Sequence, residues 1–200
     1  MSSSPSTPRL RITLALFAGV LALVAVSERG WATGLAGAAL QLTGLACIAC
    51  AALGRVWASV FIAGYKDASL VRSGPYAALR HPLYALSLLA AVGVGLTTRS
   101  VAITLGLVAA LGAIHVAAAR REDAVLEARH GVAFEEYRRA IPAFLPRWSG
   151  YAVPEQLAIR PRVLWKSFLD AASLLGYYAL LCFADALQLA GVTPTWLVLP

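Results

Sequence analysis

Long apolar runs separated by short polar links set the first limit on this fold. A backbone in hydrocarbon must satisfy its own hydrogen bonds, so a chain with several such runs can cross a bilayer only as helices or as a closed barrel. Runs of roughly 20 residues without strand alternation indicate helices. Spans are expected at about 12–26, 34–53 continuing toward 63, 82–98 and 101–119. A fifth, at about 163–189, is less uniform because Lys166, Asp170 and Asp185 lie in it. The expected fold is all-α, a polytopic transmembrane helix bundle of about five spans. At 60% hydrophobic and 14% charged, the composition agrees; soluble domains carry roughly 25% charge.

Orientation follows from where the cations fall. With the N-terminus in the cytoplasm, fifteen of the 17 Lys and Arg residues sit on the inside, leaving Arg29 and Arg99 outside. The positive-inside rule selects that arrangement. It also accounts for the net charge of +7 without a nucleic-acid partner. Richness in Ala and Arg points to a bacterial inner membrane. The three cysteines lie in apolar stretches and give no disulfide framework, and "CIAC", Cys47 to Cys50, reads as small packing residues. No metal site is expected. "GVG" at 93–95 follows no strand, so it reads as helix packing and not as a dinucleotide fingerprint.

Two polar stretches remain. "SGPYAALRHPLY", residues 73–84, leads into the third span. Gly74 with Pro75 makes a turn, Pro82 suits the first position of a helix, and His81, preceding a proline, is pushed out of the helical region. An interfacial belt of Tyr76, Arg80 and Tyr84 and a ligand site both fit these residue types. The second stretch, 120–146, follows the fourth span as an amphipathic cytoplasmic segment. Its first helix should continue until Gly131, and a short second helix should carry Phe134 and Tyr137 on one side before Pro142. Because only "TTRS" joins the third and fourth spans, they must form an antiparallel hairpin that brings 80–84 near 120–127.

These motifs carry a resemblance. "LVRSGPYAALRHPLY" and "REDAVLEARHGVAFEEYRRAIPAFLP" are similar, in this order and across a helical hairpin, to the two signature stretches of the isoprenylcysteine carboxyl methyltransferase family and its bacterial relatives. The resemblance covers about residues 60–147. It implies methyl transfer from S-adenosyl-L-methionine to a lipophilic acceptor in the membrane. It also implies a cofactor site of Ala68, Ser69, Leu70, Val71, Tyr76, His81, Pro82, Leu83 and Tyr84, with Glu122 accepting hydrogen bonds from the ammonium group. The residue types suit that ligand: a carboxylate for a cation, imidazole and backbone donors for oxygens, ring faces for a sulfonium or purine.

Arg80 and Arg121 are candidate guides for an anionic acceptor, the alternative being pairing with phosphate or with Glu122 and Asp123. His115 sits about a turn inside the fourth span, in a functional role or in an interhelical hydrogen bond, and His130 at a helix end. Leu86, Asp123 and His130 depart from the family pattern. Ala118 stands where eukaryotic members carry a substrate-contacting arginine, which points away from a prenylcysteine carboxylate as acceptor. Residues 1–147 would then be the methyltransferase core and 148–200 an extension. Two other classes share the scaffold: a catalytically silent membrane adaptor, and a sterol-reductase-like enzyme using NADPH.

Overall fold

A computed structural model describes residues 7–28, 34–62, 70–157, 159–193 and 196–198. The protein is an all-α membrane bundle. Its helices are α1 (Thr7–Val26), α2 (Gly34–Ile62), α3 (Pro75–Ala78), α4 (Pro82–Thr98), α5 (Val101–His130), α6 (Val132–Ala140) and α7 (Pro161–Leu189). Three of them, α2, α5 and α7, are long and apolar enough to cross a membrane, and Arg11–Val26 and Pro82–Thr98 are shorter apolar helices. The one extended pairing among the described residues is a two-residue parallel bridge between Ser27–Glu28 and Leu197–Val198.

Helix ends follow the local chemistry. Pro82 opens α4, and the carbonyl of His81 accepts hydrogen bonds from the Tyr84 and Ala85 N–H groups at 3.1 Å. Leu79 is extended, with φ −152° and ψ 147°, so α3 stops there and Arg80 and His81 stand between two helices. Gly131, at φ 49°, separates α5 from α6 in a conformation that favours glycine. At 30 residues α5 is roughly 45 Å long against a hydrocarbon core of about 30 Å. Its last turns, carrying Arg120 to Glu127, therefore extend beyond its apolar part.

The chain divides into two compact units. The first comprises Met1–Ile48, Ala90–Ile114 and Leu175–Pro200. Its helices approach closely at small residues: a Cβ added at Gly44 would lie 2.6 Å from the Gly93 carbonyl oxygen, and one at Gly95 would lie 2.5 Å from Thr104 Oγ1. "GVG" is thus a packing element. Arg99, placed outside by charge counting, is buried at 8% exposure, and its Nη2 lies 2.8 and 3.0 Å from the two Asp185 carboxylate oxygens. Gln41 adds a hydrogen bond to Asp185 at 3.1 Å. The acid that marred the C-terminal span is therefore the partner of that arginine. Tyr177 donates to the Phe17 carbonyl at 2.7 Å, and Gln188 donates to the Val24 and Ser27 carbonyls at the same distance.

The second unit comprises Ala49–Leu89 and His115–Leu174. Phe61, Ala58 and Tyr76 form a buried cluster with Val71, Leu83 and Leu86 packed against it. Gly74, at φ 58°, sits so near the Phe61 ring that an added Cβ would fall 2.4 Å from it, so both backbone and space demand glycine there. Helix α6 buries Phe134 and Tyr137 and leaves Glu135, Glu136, Arg138 and Arg139 exposed.

Candidate active site

Within the second unit, the break between α3 and α4 faces the charged end of α5. Arg80 Nη1 donates to Asp123 Oδ2 at 2.7 Å. His81 Nε2 lies 2.9 Å from Asp123 Oδ1, and its Nδ1 lies 3.7 Å from Glu122 Oε2, within ion-pair range. Two acids adjacent on α5 thus bracket one buried imidazole from opposite ring nitrogens. Burial alone would lower the proton affinity of His81. The Asp123 hydrogen bond and the charges of Asp123 and Glu122 outweigh it, so the group titrates above its ordinary value.

The rings form a column. His81 stacks on Tyr84 with centroids 5.6 Å apart, and Tyr84 stacks on His115 at 5.3 Å with 14° between planes. Phe144 tilts against His81 at 5.9 Å. His115 and Glu122 are seven residues apart on α5, two turns along the same face, so the stack and the acids line one side of the helix. Leu111, Ala118 and Ala119 are buried on that helix.

A second layer holds the loop. The Tyr137 hydroxyl donates to the Tyr76 carbonyl at 2.7 Å. Arg72 lies over the Tyr137 ring, 5.7 Å from its centroid, and donates to the Ala133 carbonyl. Burial pushes the Tyr137 phenol well above its usual range, so it remains a neutral donor at any physiological pH. The Tyr76 hydroxyl is buried without a hydrogen-bond partner among the described residues, as is Arg80 Nε. Burial, reinforced by the charge of Glu122, also pushes this phenol up.

The expected site residues distribute as follows. Tyr76, His81, Pro82 and Tyr84 lie together, opposite Glu122. Leu70 and Val71 lie in the loop before Gly74, with Val71 on the Phe61 cluster. The Leu83 carbonyl accepts from Ser87 at 2.8 Å and from Arg55 at 3.4 Å. Ala68 and Ser69 lie outside the described residues. Arg80 is paired with Asp123. Arg121 is exposed and makes no hydrogen bond or ion pair among the described residues.

Sequence reasoning treated Asp123 as a departure from a pattern, yet it is the residue that ties Arg80 to His81. Its position, one residue after Glu122 and near Arg80 in the hairpin, was the available signal. Phe144 gave none, because its contact with His81 arises in irregular backbone.

Comparison with known proteins gives the family. The phospholipid methyltransferase family matches residues 30–132, just over half the chain. The chain belongs to that family. The phospholipid methyltransferase family here comprises the membrane methyltransferases akin to the isoprenylcysteine carboxyl methyltransferases, and the matched region contains both the His81 loop and the acids of α5. The chain is 35% identical to the cobalt-zinc-cadmium resistance protein CzcN of Cupriavidus metallidurans over 76% of this chain and 70% of that protein. It is 29% identical to the nickel-cobalt-cadmium resistance protein NccN of Alcaligenes xylosoxydans xylosoxydans over 96% of this chain and 90% of that protein. No solved structure matches the chain.

Proposed function

We propose that this chain transfers a methyl group from S-adenosyl-L-methionine to a lipophilic, membrane-embedded acceptor at the cytoplasmic face of a bacterial inner membrane. The supporting observation is the constellation of His81, Tyr84, His115 and Glu122 in one compact unit, beside the buried Tyr76 hydroxyl, which has no hydrogen-bond partner among the described residues. Those groups suit the cofactor. Glu122, with its side chain 36% exposed, is of the right charge to accept hydrogen bonds from an ammonium group. His81 and the Tyr76 hydroxyl offer hydrogen bonds to carboxylate or ribose oxygens, and the stacked rings offer faces to a purine or sulfonium. Leu70, Val71, Pro82 and Leu83, with Ala68 and Ser69, would supply the apolar and backbone surface around the nucleoside.

When bound, the cofactor supplies an electrophilic methyl group whose carbon–sulfur bond breaks to leave a neutral thioether. The residues' part is mainly positioning: they hold donor and acceptor near contact and exclude water. Asp123 and Arg80 keep the His81 imidazole oriented, so in this reading Arg80 is a positioning residue. Arg121 remains a candidate guide for an acceptor carrying phosphate.

Calorimetric titration of the purified protein tests the reading. S-adenosylhomocysteine should bind and NADPH should not; the reverse would overturn the assignment in favour of a reductase. Incubating membranes with methyl-labelled S-adenosylmethionine should then label a lipid, which names the acceptor. An adaptor would bind neither ligand and label nothing.

The relatives' names concern resistance to nickel, cobalt, zinc and cadmium. We attribute any such role of this chain to membrane methyl-transfer chemistry, in keeping with the family it belongs to. A tight stoichiometric site for nickel or cadmium on the purified protein would contradict that assignment.

A further inference from the structure

Between α6 and α7, the described residues 141–157 and 159–160 form no helix beyond the single 3-10 turn Trp148–Gly150. Irregular backbone needs outside partners for its polar groups. This strap finds them on the loop that carries His81. The Arg80 N–H donates to the Pro142 carbonyl at 2.9 Å, the His81 N–H to that of Ala143 at 3.2 Å, and the Gly74 N–H to that of Ala152 at 2.7 Å. In return the Arg147 N–H donates to the Ala78 carbonyl at 2.9 Å. Four hydrogen bonds thus lace the strap to residues 74–81.

Four of its large apolar side chains are nevertheless exposed: Leu145 at 79%, Trp148 at 66%, Val153 at 49% and Tyr151 at 38%. The Trp148 and Tyr151 rings lie 5.6 Å apart and form one patch. Exposed Leu and Phe on a spanning helix meet acyl chains, but a non-helical strap cannot lie in lipid hydrocarbon. Headgroup depth is where Trp and Tyr concentrate. The charge around the patch agrees: Arg147, Arg160, Arg162 and Lys166 are all exposed, and Glu155 is the one acid in the sequence from 138 to 166.

We propose that this strap docks on the anionic phospholipid surface of the leaflet on its own side, and that docking holds residues 74–81, with Arg80 and His81, in place. Exposed aromatics followed in the sequence by exposed arginines and a lysine match a surface that is apolar beneath and negative above. The docking stands on the strap itself; its consequence for cofactor affinity rests on the methyltransferase reading.

The test uses the full chain in nanodiscs of phosphatidylcholine alone and of phosphatidylcholine with about a third phosphatidylglycerol, enough anionic lipid to set up a negative surface potential. Brominated lipid should quench Trp148, read as the difference between wild type and W148F, and more strongly in the anionic discs. Amide exchange at Gly74, Arg80, His81 and Arg147 should slow by about tenfold in the anionic discs, the order expected for one or two surface cations near anionic lipid. The R147E/R160E/R162E variant should return exchange to the phosphatidylcholine level. Equal exchange in both compositions would overturn the proposal. So would absence of Trp148 quenching in either, which would mean a face open to water or reserved for a protein partner. If quenching and slowed exchange appear but S-adenosylhomocysteine binds in neither composition, the anchor stands and the methyltransferase reading falls.

Discussion

Arg99 and Arg80 each meet an aspartate, and the two pairs are buried to nearly the same degree, with side chains 8% and 18% exposed for Arg99–Asp185 and 12% and 20% for Arg80–Asp123. Their surroundings differ. Asp185 receives Arg99 and Gln41, joining the α4–α5 turn to α2 and α7 within the first unit. Asp123 receives Arg80 and an imidazole that also faces Glu122 and stacks on Tyr84. One pair fastens helices. The other holds an imidazole between two adjacent acids and against an aromatic ring. Two charge pairs buried to the same degree can therefore sit in quite different surroundings, and burial alone does not assign either a role.

The largest expected effect on stability comes from breaking the fastener. Asp185→Ala would leave the Arg99 guanidinium buried without its counter-ion, a loss of about 3 kcal/mol, while folded protein should still bind S-adenosylhomocysteine as wild type does. Denaturant titration in detergent measures the first and calorimetry the second. A large change in ligand affinity would erase the distinction between the two pairs.

His81 gives the Arg80–Asp123 cluster a pH signature. Since its proton is held more tightly in the folded state than in the unfolded one, the contribution of His81 to stability is complete below about pH 6.5, the unfolded value. It is lost as pH rises through the higher folded value. Thermal melts from acid to mildly alkaline pH should show wild type losing its advantage over His81→Gln as pH rises. An advantage that grows with pH would mean the imidazole is held neutral. A smaller effect should follow Tyr137→Phe, which removes the hydrogen bond to the Tyr76 carbonyl and should cost about 1 kcal/mol. No change in stability would show that the loop is held without it.

Much of this was legible because proline and glycine punctuate the sequence at the elements that position the site. Pro82 opens α4 and Gly131 closes α5, and the short 97–100 link fixes their antiparallel pairing, so the meeting of His81 with the acids of α5 followed from local chemistry. Amphipathic spacing likewise placed Phe134 and Tyr137 on one buried side of α6. Two things were not legible. Asp123, not Glu122, makes the close hydrogen bonds to Arg80 and His81, because neighbouring residues on a helix differ by about 100° in direction and spacing alone does not choose between them. The lacing of residues 142–152 onto 74–81 depends on irregular backbone, which has no period to read. Charge counting also sorted Arg99 by side of the membrane and could not anticipate that Asp185 would bury it.

The most direct measurement is a calorimetric titration of S-adenosylhomocysteine into wild type, Glu122→Ala and Asp185→Ala, each confirmed folded. The account predicts saturable binding to wild type, retention in Asp185→Ala and a loss of roughly ten- to a hundredfold in Glu122→Ala, the range for removing a hydrogen bond to a charged group. Unchanged affinity in Glu122→Ala, or no binding to wild type, would contradict it.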